Sequence, residues 1–384
     1  MALLHVFGTT LVEQDELDEK LRTAGDAIRT FGAQVTNARV PDQVTEDVAI
    51  EFRDGTVTAR EFLAGPQLNA TTPLNPVGVG RPASIILRHL YTGGFPKGSV
   101  FGSVRKDMLV TSAVRDTFTT FNMAPRAINY TKQHIAAQSH VKGPAATEDG
   151  TPLVYYSPAV TAMSANATFE MSFDDFPEEL VGKVGNAITG AGGIPVFGPY
   201  SGVLIGVGTA IKLVASLASR LVDSRPEFAE TERLEFEVPG SAVPTAGFKV
   251  VCSDPSEFRE YEFMMDAGLV HKASGKVYSG NQPYVVFLLD GTEQPTLTGF
   301  TPTAASAALL SRFLSQKEGS EVIIDALVES VKLYNDTRFR NEADRLQREI
   351  EKLPENSELR LQMEKRREAF VANIISDLLK PARA

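Results

Sequence analysis

One stretch limits what this chain can fold into more than any other. Residues 184–211, VGNAITGAGGIPVFGPYSGVLIGVGTAI, contain no Asp, Glu, Lys or Arg, and Lys183 and Lys212 close the ends. Twenty-eight uncharged residues exceed the roughly 20 that span a bilayer as a helix. Eight of them are Gly, however, and Pro195 and Pro199 sit in the middle. In a helix interior Gly costs about 1 kcal/mol and Pro about 3. The prolines therefore divide the stretch into two expected helical pieces, from about 177 to 190 and from about 201 to 223. Asp174, Asp175, Glu178 and Glu179 crowd the start of the first piece, where a helix N-terminus favours negative charge. Leu204, Val207, Ile211, Val214, Leu217 and Leu221 recur at helical spacing in the second.

Gly198, Gly202, Gly206 and Ala210 stand four apart, and such a row lets another helix approach closely. With Phe197 and Ile205 they make the candidate membrane or helix-packing face. Three readings of the stretch stay open: a buried hairpin packed on a sheet, a segment that meets a membrane in one state, and a cofactor loop. The last has little behind it. Gly190, Gly192 and Gly193 are followed by no Gly-Lys-Ser/Thr, and no GxGxxG spacing occurs there.

The flanks alternate as strands do. ATFEMSFDDF at 167–176 places Phe169, Met171 and Phe173 on one face, and TERLEFEV at 231–238 does the same with Leu234, Phe236 and Val238. The uncharged stretch thus reads as a helical insertion between two strands of one sheet. Further strands are expected at 3–12, 34–40, 84–91, 99–104, 107–115, 247–252, 259–265 and 284–289. A hairpin is expected around Asp54-Gly55. Helices are expected at 17–31 and 303–315. Residues 127–138 fit helix or strand, and the turn-rich stretch 139–152 is read as a domain boundary.

The last 68 residues differ in kind. From Lys317 onward there are 13 basic and 14 acidic residues. Apolar positions recur at Leu327, Val331 and Tyr334, and after a phase slip at Phe339, Ala343, Leu346, Ile350 and Leu353. Pro354 interrupts the pattern, and Leu359, Met363, Phe370 and Ile374 resume it. This predicts a helical hairpin able to meet a partner protein or a second copy of itself. The fold class expected is α+β. A β-rich domain with one helix (1–140) precedes a β-sandwich-like domain (141–316) with the helical insertion 177–223, and the charged hairpin (317–384) ends the chain.

Chemistry is harder to find. The formal net charge of −10 disfavours nucleic acid, which needs a basic face. The single Cys252 rules out a disulfide within the chain and fits a reducing compartment. MALLHVFGTTLVEQDE has no basic n-region, so a cytoplasmic protein is expected, with membrane association only when activated. The sequons at Asn69, Asn129, Asn166 and Asn335 then read as chance matches. His5, His89, His134, His140 and His271 show no ligand spacing, so neither metal nor cofactor is expected. Ser103-Val-Arg-Lys106 matches SxxK, but no Lys-Thr-Gly accompanies it and the context is strand-like. Asp107, Asp116, Asp254 and Asp266 offer carboxylates without a spacing that selects a pair. The reading is a non-catalytic binding or assembly protein. One form of it is a latent membrane-acting effector that releases its Gly-rich hairpin on a trigger. The alternative is a hydrolase whose site is assembled from dispersed residues.

Overall fold

Alternation in the sequence becomes two packed β-sheets, with a helix pair at the C-terminus. A computed structural model describes residues 2–7, 10–13, 16, 74–98, 105–116, 126–142, 152–176, 196–197, 226–237, 246–293, 321–355 and 357–381. Its strands are β1 (Ala2–Phe7), β2 (Thr10–Val12), β3 (Ala83–Tyr91), β4 (Lys106–Asp116), β5 (Arg126–Ile135), β6 (His140–Lys142), β7 (Leu153–Ser157) and β8 (Ser164–Asp174). They continue as β9 (Val196–Phe197), β10 (Phe228–Glu235), β11 (Gly247–Cys252), β12 (Tyr261–Met264), β13 (Gly268–His271) and β14 (Tyr284–Asp290). The helices are α1 (Glu321–Ile350) and α2 (Glu358–Ala372). The large sheet runs β13-β12-β2-β1-β11-β14-β3-β6 with β7 also on β3, and the small one runs β10-β8-β4-β5-β9.

The layer between the sheets is built by the alternation the sequence displays. Phe169, Met171 and Phe173 of β8 do share one buried face, and Leu234 and Phe236 join them. Opposite them stand Val285, Phe287 and Leu289 of β14. The Phe169 and Phe287 rings stack across the layer at 5.1 Å between centroids. The intervening β14 residues, Tyr284, Val286 and Leu288, point into a second core with Phe248, Val250 and Phe258. Every residue of β11 and β14 is therefore buried, and these strands read as near-continuous apolar runs, interrupted in β11 by Lys249, as strands covered on both faces do.

Several expectations are refined. Residues 3–12 form two strands rather than one, because β1 and β2 pair antiparallel with Phe7 opposite Thr10. An apolar run carries no mark of its own reversal. Residues 126–135 are extended, which resolves the ambiguity of 127–138 in favour of strand. Inside the turn-rich stretch 139–152 lies β6, paired on β3. β13 has four residues and an opening Gly, too short for alternation to reveal. Each sheet takes strands from both sides of residue 140: β4 pairs along its length with β8. The division at 140/141 is thus not the division between the sheets. Expected strands at 34–40 and 99–104, the Asp54-Gly55 hairpin and the helices at 17–31 and 303–315 lie outside the described residues. Asn129 is fully buried, with Ser112 Oγ donating to its Oδ1 at 2.5 Å and its Nδ2 donating to the Leu153 carbonyl at 2.9 Å.

The uncharged stretch does leave and return within one sheet. β8 and β10 pair antiparallel, with Met171 opposite Phe228 and Ser164 opposite Glu235. Within the stretch, Val196–Phe197 forms β9, which adds to the far edge of that same sheet beside Ile128 and Ala127. The helical pieces expected at 177–190 and 201–223 lie outside the described residues. Among those described, no helix is long and apolar enough to cross a membrane.

The helix pair follows its seam. Ala343, Leu346, Ile350 and Phe370 form a buried cluster, with Phe339, Met363 and Val371 against it. Leu359 departs from expectation, being 55% exposed, because the seam only re-enters phase a turn later at Met363. Ser357 caps α2, its Oγ accepting from Arg360 N. Asn373 docks the pair onto the sheets. Its Nδ2 donates to the Ala159 and Ala369 carbonyls at 2.6 and 2.8 Å, and its Oδ1 accepts from Ser157 Oγ. Lys365 adds an ion pair to Glu237. Asn373→Ala leaves a buried hydroxyl and a buried carbonyl without their partner, at about 1–3 kcal/mol each when fully unsatisfied. A loss of about 2 kcal/mol is expected in denaturant midpoint, with faster hydrogen exchange in α2; an unchanged midpoint would show that the docking contributes nothing.

Candidate functional site

The residues singled out from sequence divide sharply. Phe197 lies in β9, at the sheet edge, and Gly198, Gly202, Ile205, Gly206 and Ala210 lie outside the described residues. So does Ser103 of the SxxK match, while Lys106 opens β4 and is held by Asp175 and Asp174. Three of the four carboxylates have separate partners. Asp107 accepts from His134 N, Asp254 caps the short turn at 255–258, Asp266 pairs with Lys142, and Asp116 ends β4. The Cys252 thiol is buried in the core, and burial together with nearby Glu232 and Glu230 pushes it up to about 12. A thiol so hard to ionise is no nucleophile at neutral pH.

Two histidines that the sequence keeps 51 residues apart do meet. β6 pairs on β3 with His140 opposite Tyr91 and Lys142 opposite His89. His89 Nε2 then lies 3.1 Å from His140 Nδ1, and His140 Nε2 lies 2.9 Å from the Tyr278 carbonyl oxygen. Three tyrosines surround them. Tyr91 packs on His140 with 4.4 Å between ring centroids, Tyr284 stacks on His89 at 5.7 Å, and Tyr278 meets Tyr91 edge-on at 5.2 Å. Each hydroxyl has a fixed partner. Tyr91 donates to the Gly280 carbonyl, Tyr278 donates to Glu257, and Tyr284 accepts from Leu269 N. Gly268 makes room for this packing. Its φ is +83°, and a Cβ there would lie 2.5 Å from His89 Nε2 and 2.6 Å from the Tyr284 hydroxyl.

The hydrogen-bond chain determines where the protons sit. A carbonyl only accepts, so His140 Nε2 carries a hydrogen. In neutral His140 the other nitrogen, Nδ1, is then an acceptor, and His89 Nε2 must be the donor. This leaves His89 Nδ1 as a bare lone pair, buried and without a partner. Burial, with His140 and Lys142 adding to it, brings His89 down to about 3. Burial also lowers His140, against the bond to the Tyr278 carbonyl. Burial raises Tyr91 to about 12, with Glu257 and Tyr261 contributing. Of this cluster only His140 reaches solvent. The other rings form a neutral, buried plug at one end of the large sheet.

A second buried polar pair joins β1 to β11, where His5 stands opposite Lys249. Lys249 Nζ is 2.9 Å from His5 Nδ1. Burial alone lowers the Lys249 amine to about 7. No periodicity exposes either pair, because both depend on strand register. A sequence signal existed only at Lys249, a cation amid the buried run GFKVVC. Among the described residues no three His, Cys, Asp or Glu side chains are arranged to hold a metal. Compared with protein-family models, curated proteins and solved structures, the chain matches none.

Proposed function

We propose that this is a binding and assembly protein whose C-terminal helix pair receives a second copy of the chain. The observation that carries the reading is the surface of that pair. Among the described residues, five of the seven large exposed apolar side chains fall on the pair or on the tail that follows α2: Leu333, Leu359, Leu361, Ile375 and Leu378, the last 94% exposed. Exposed apolar side chains that gather in one part of a chain favour an interaction surface there. Charge argues for self-association. The hairpin is nearly balanced, with 13 bases and 14 acids, while the remaining 316 residues hold nine more acids than bases. Two copies therefore meet with the least like-charge repulsion at the hairpin. Asp336 shapes one end of the surface, its buried carboxylate accepting from Ile375 N and Ser376 N and so tying the tail to α1.

Light scattering tests it. The wild type is expected to run as a dimer or larger species at micromolar concentration. Leu359→Glu combined with Leu361→Glu, or Leu378→Glu alone, is expected to weaken association at least tenfold without lowering the melting temperature, since these side chains are already exposed. A wild type that stays monomeric up to about 100 μM, where association weaker than roughly 5–6 kcal/mol would go unseen, removes the proposal.

A further inference from the structure

We infer that His140 is an acid-operated latch on the edge strand β6. The imidazole ties three segments together: its own strand, β3 through His89, and the 272–283 loop through the Tyr278 carbonyl. Both bonds are satisfied only while His140 is neutral and His89 carries its hydrogen on Nε2. A proton added to His140 makes both its nitrogens donors. His89 Nε2 must then accept, which moves the His89 hydrogen to Nδ1, where no acceptor awaits it. Orphaned buried N–H groups are rare because they exchange water for nothing.

The surroundings reinforce that preference. Lys142, on the same strand, adds positive charge. His89 and Tyr91 of β3, Tyr278 of the loop and Tyr284 of β14 face the site in neutral form. The acids bonded to its neighbours are committed to those neighbours, Glu257 to Tyr278 and Gln282, and Asp266 to Lys142. Among the described residues, the bonds of the imidazole go to His89 and the Tyr278 carbonyl, not to a carboxylate. If β6 lifts away, water solvates an imidazolium at no such penalty. β6 has only three residues and ends the path of the large sheet, so its release disturbs no strand beyond it. Acid therefore favours an open edge at β3, and an open edge is a place where another strand can add.

Amide hydrogen exchange of residues 139–142 tests the latch between about pH 7.5 and 5, after correction for intrinsic exchange rates. In the wild type the opening constant is expected to climb below the ordinary histidine value of about 6.5, approaching tenfold per pH unit. His140→Gln keeps a donor for the Tyr278 carbonyl but has nothing to titrate, so its opening constant is expected to be flat. Ring-nitrogen spectra of the wild type provide a second readout that does not depend on the variant folding. They should show His89 with its hydrogen on Nε2 at neutral pH and His140 titrating below 6.5. A flat wild-type profile, an equal rise in His140→Gln, or a His140 that titrates at or above 6.5 overturns the inference.

Discussion

Gly268→Ala is expected to lose about 3 kcal/mol of stability. Two effects combine. A non-Gly residue at φ +83° accepts a left-handed backbone at about 1–2 kcal/mol. The new methyl would also press on His89 and Tyr284, both fully buried rings, and overpacking of this kind costs about 1–3 kcal/mol. Gly275 supplies the control. Its φ is +65° with nothing within 4 Å of the added Cβ, so Gly275→Ala should show the backbone effect alone, about 1 kcal/mol. Denaturant melts of both variants measure the difference. Equal losses would mean that the His89–Tyr284 packing yields freely, and that the plug is soft.

Lys249→Met is expected to stabilise the protein at pH 7. The Lys249 amine is buried beside a histidine, with burial bringing it from 10.5 to about 7. Between those values the unfolded chain holds the proton and the folded one does not. Stability of the wild type therefore rises as pH goes from 7 to 10.5 and falls again on the way down. A shift of 3.5 pH units corresponds to about 5 kcal/mol at roughly 1.4 kcal/mol per unit. Met removes that burden but also removes the hydrogen-bond partner of His5 Nδ1, an offset of about 1–3 kcal/mol. The net gain at pH 7 is about 2–4 kcal/mol. The sharper sign is in slope: the wild type should gain stability from pH 7 to 10, and Lys249→Met should not gain from this source. Parallel pH profiles would show that Lys249 keeps its charge in the fold. A depressed lysine is a common feature of functional sites, and the cation in GFKVVC is accordingly a reason to search this pair for chemistry.

Much of the framework was legible in the order of residues. The alternating runs at 167–176 and 231–238 became strands, because a half-buried strand needs period two and little else produces it, and the strands expected at 84–91, 107–115 and 247–252 formed as well. The pairing of β8 with β10 followed from two matching strands on either side of one uncharged stretch. The helix seam from Phe339 to Ile350 and its partner Phe370 followed from heptad spacing, and Leu359 was misplaced because Pro354 resets the helical phase. Such patterns are local, and local sterics and amphipathicity generate them.

The sites were another matter. His89 and His140 are neighbours only because β6 pairs on β3 in one register, and sliding it by one residue would turn His140 to the opposite face. Lys249 meets His5 only because β1 and β11 lie side by side although the two residues are 244 positions apart. Whether a histidine sits in water or against a tyrosine determines its proton, and no spacing along the chain records that. Sequence alone determined the strands at 167–176 and 231–238 and the C-terminal helix pair, since each responds to the side chains within a few positions. Tertiary structure alone decided which polar groups meet, because that depends on strand register and on the burial that removes water from around them.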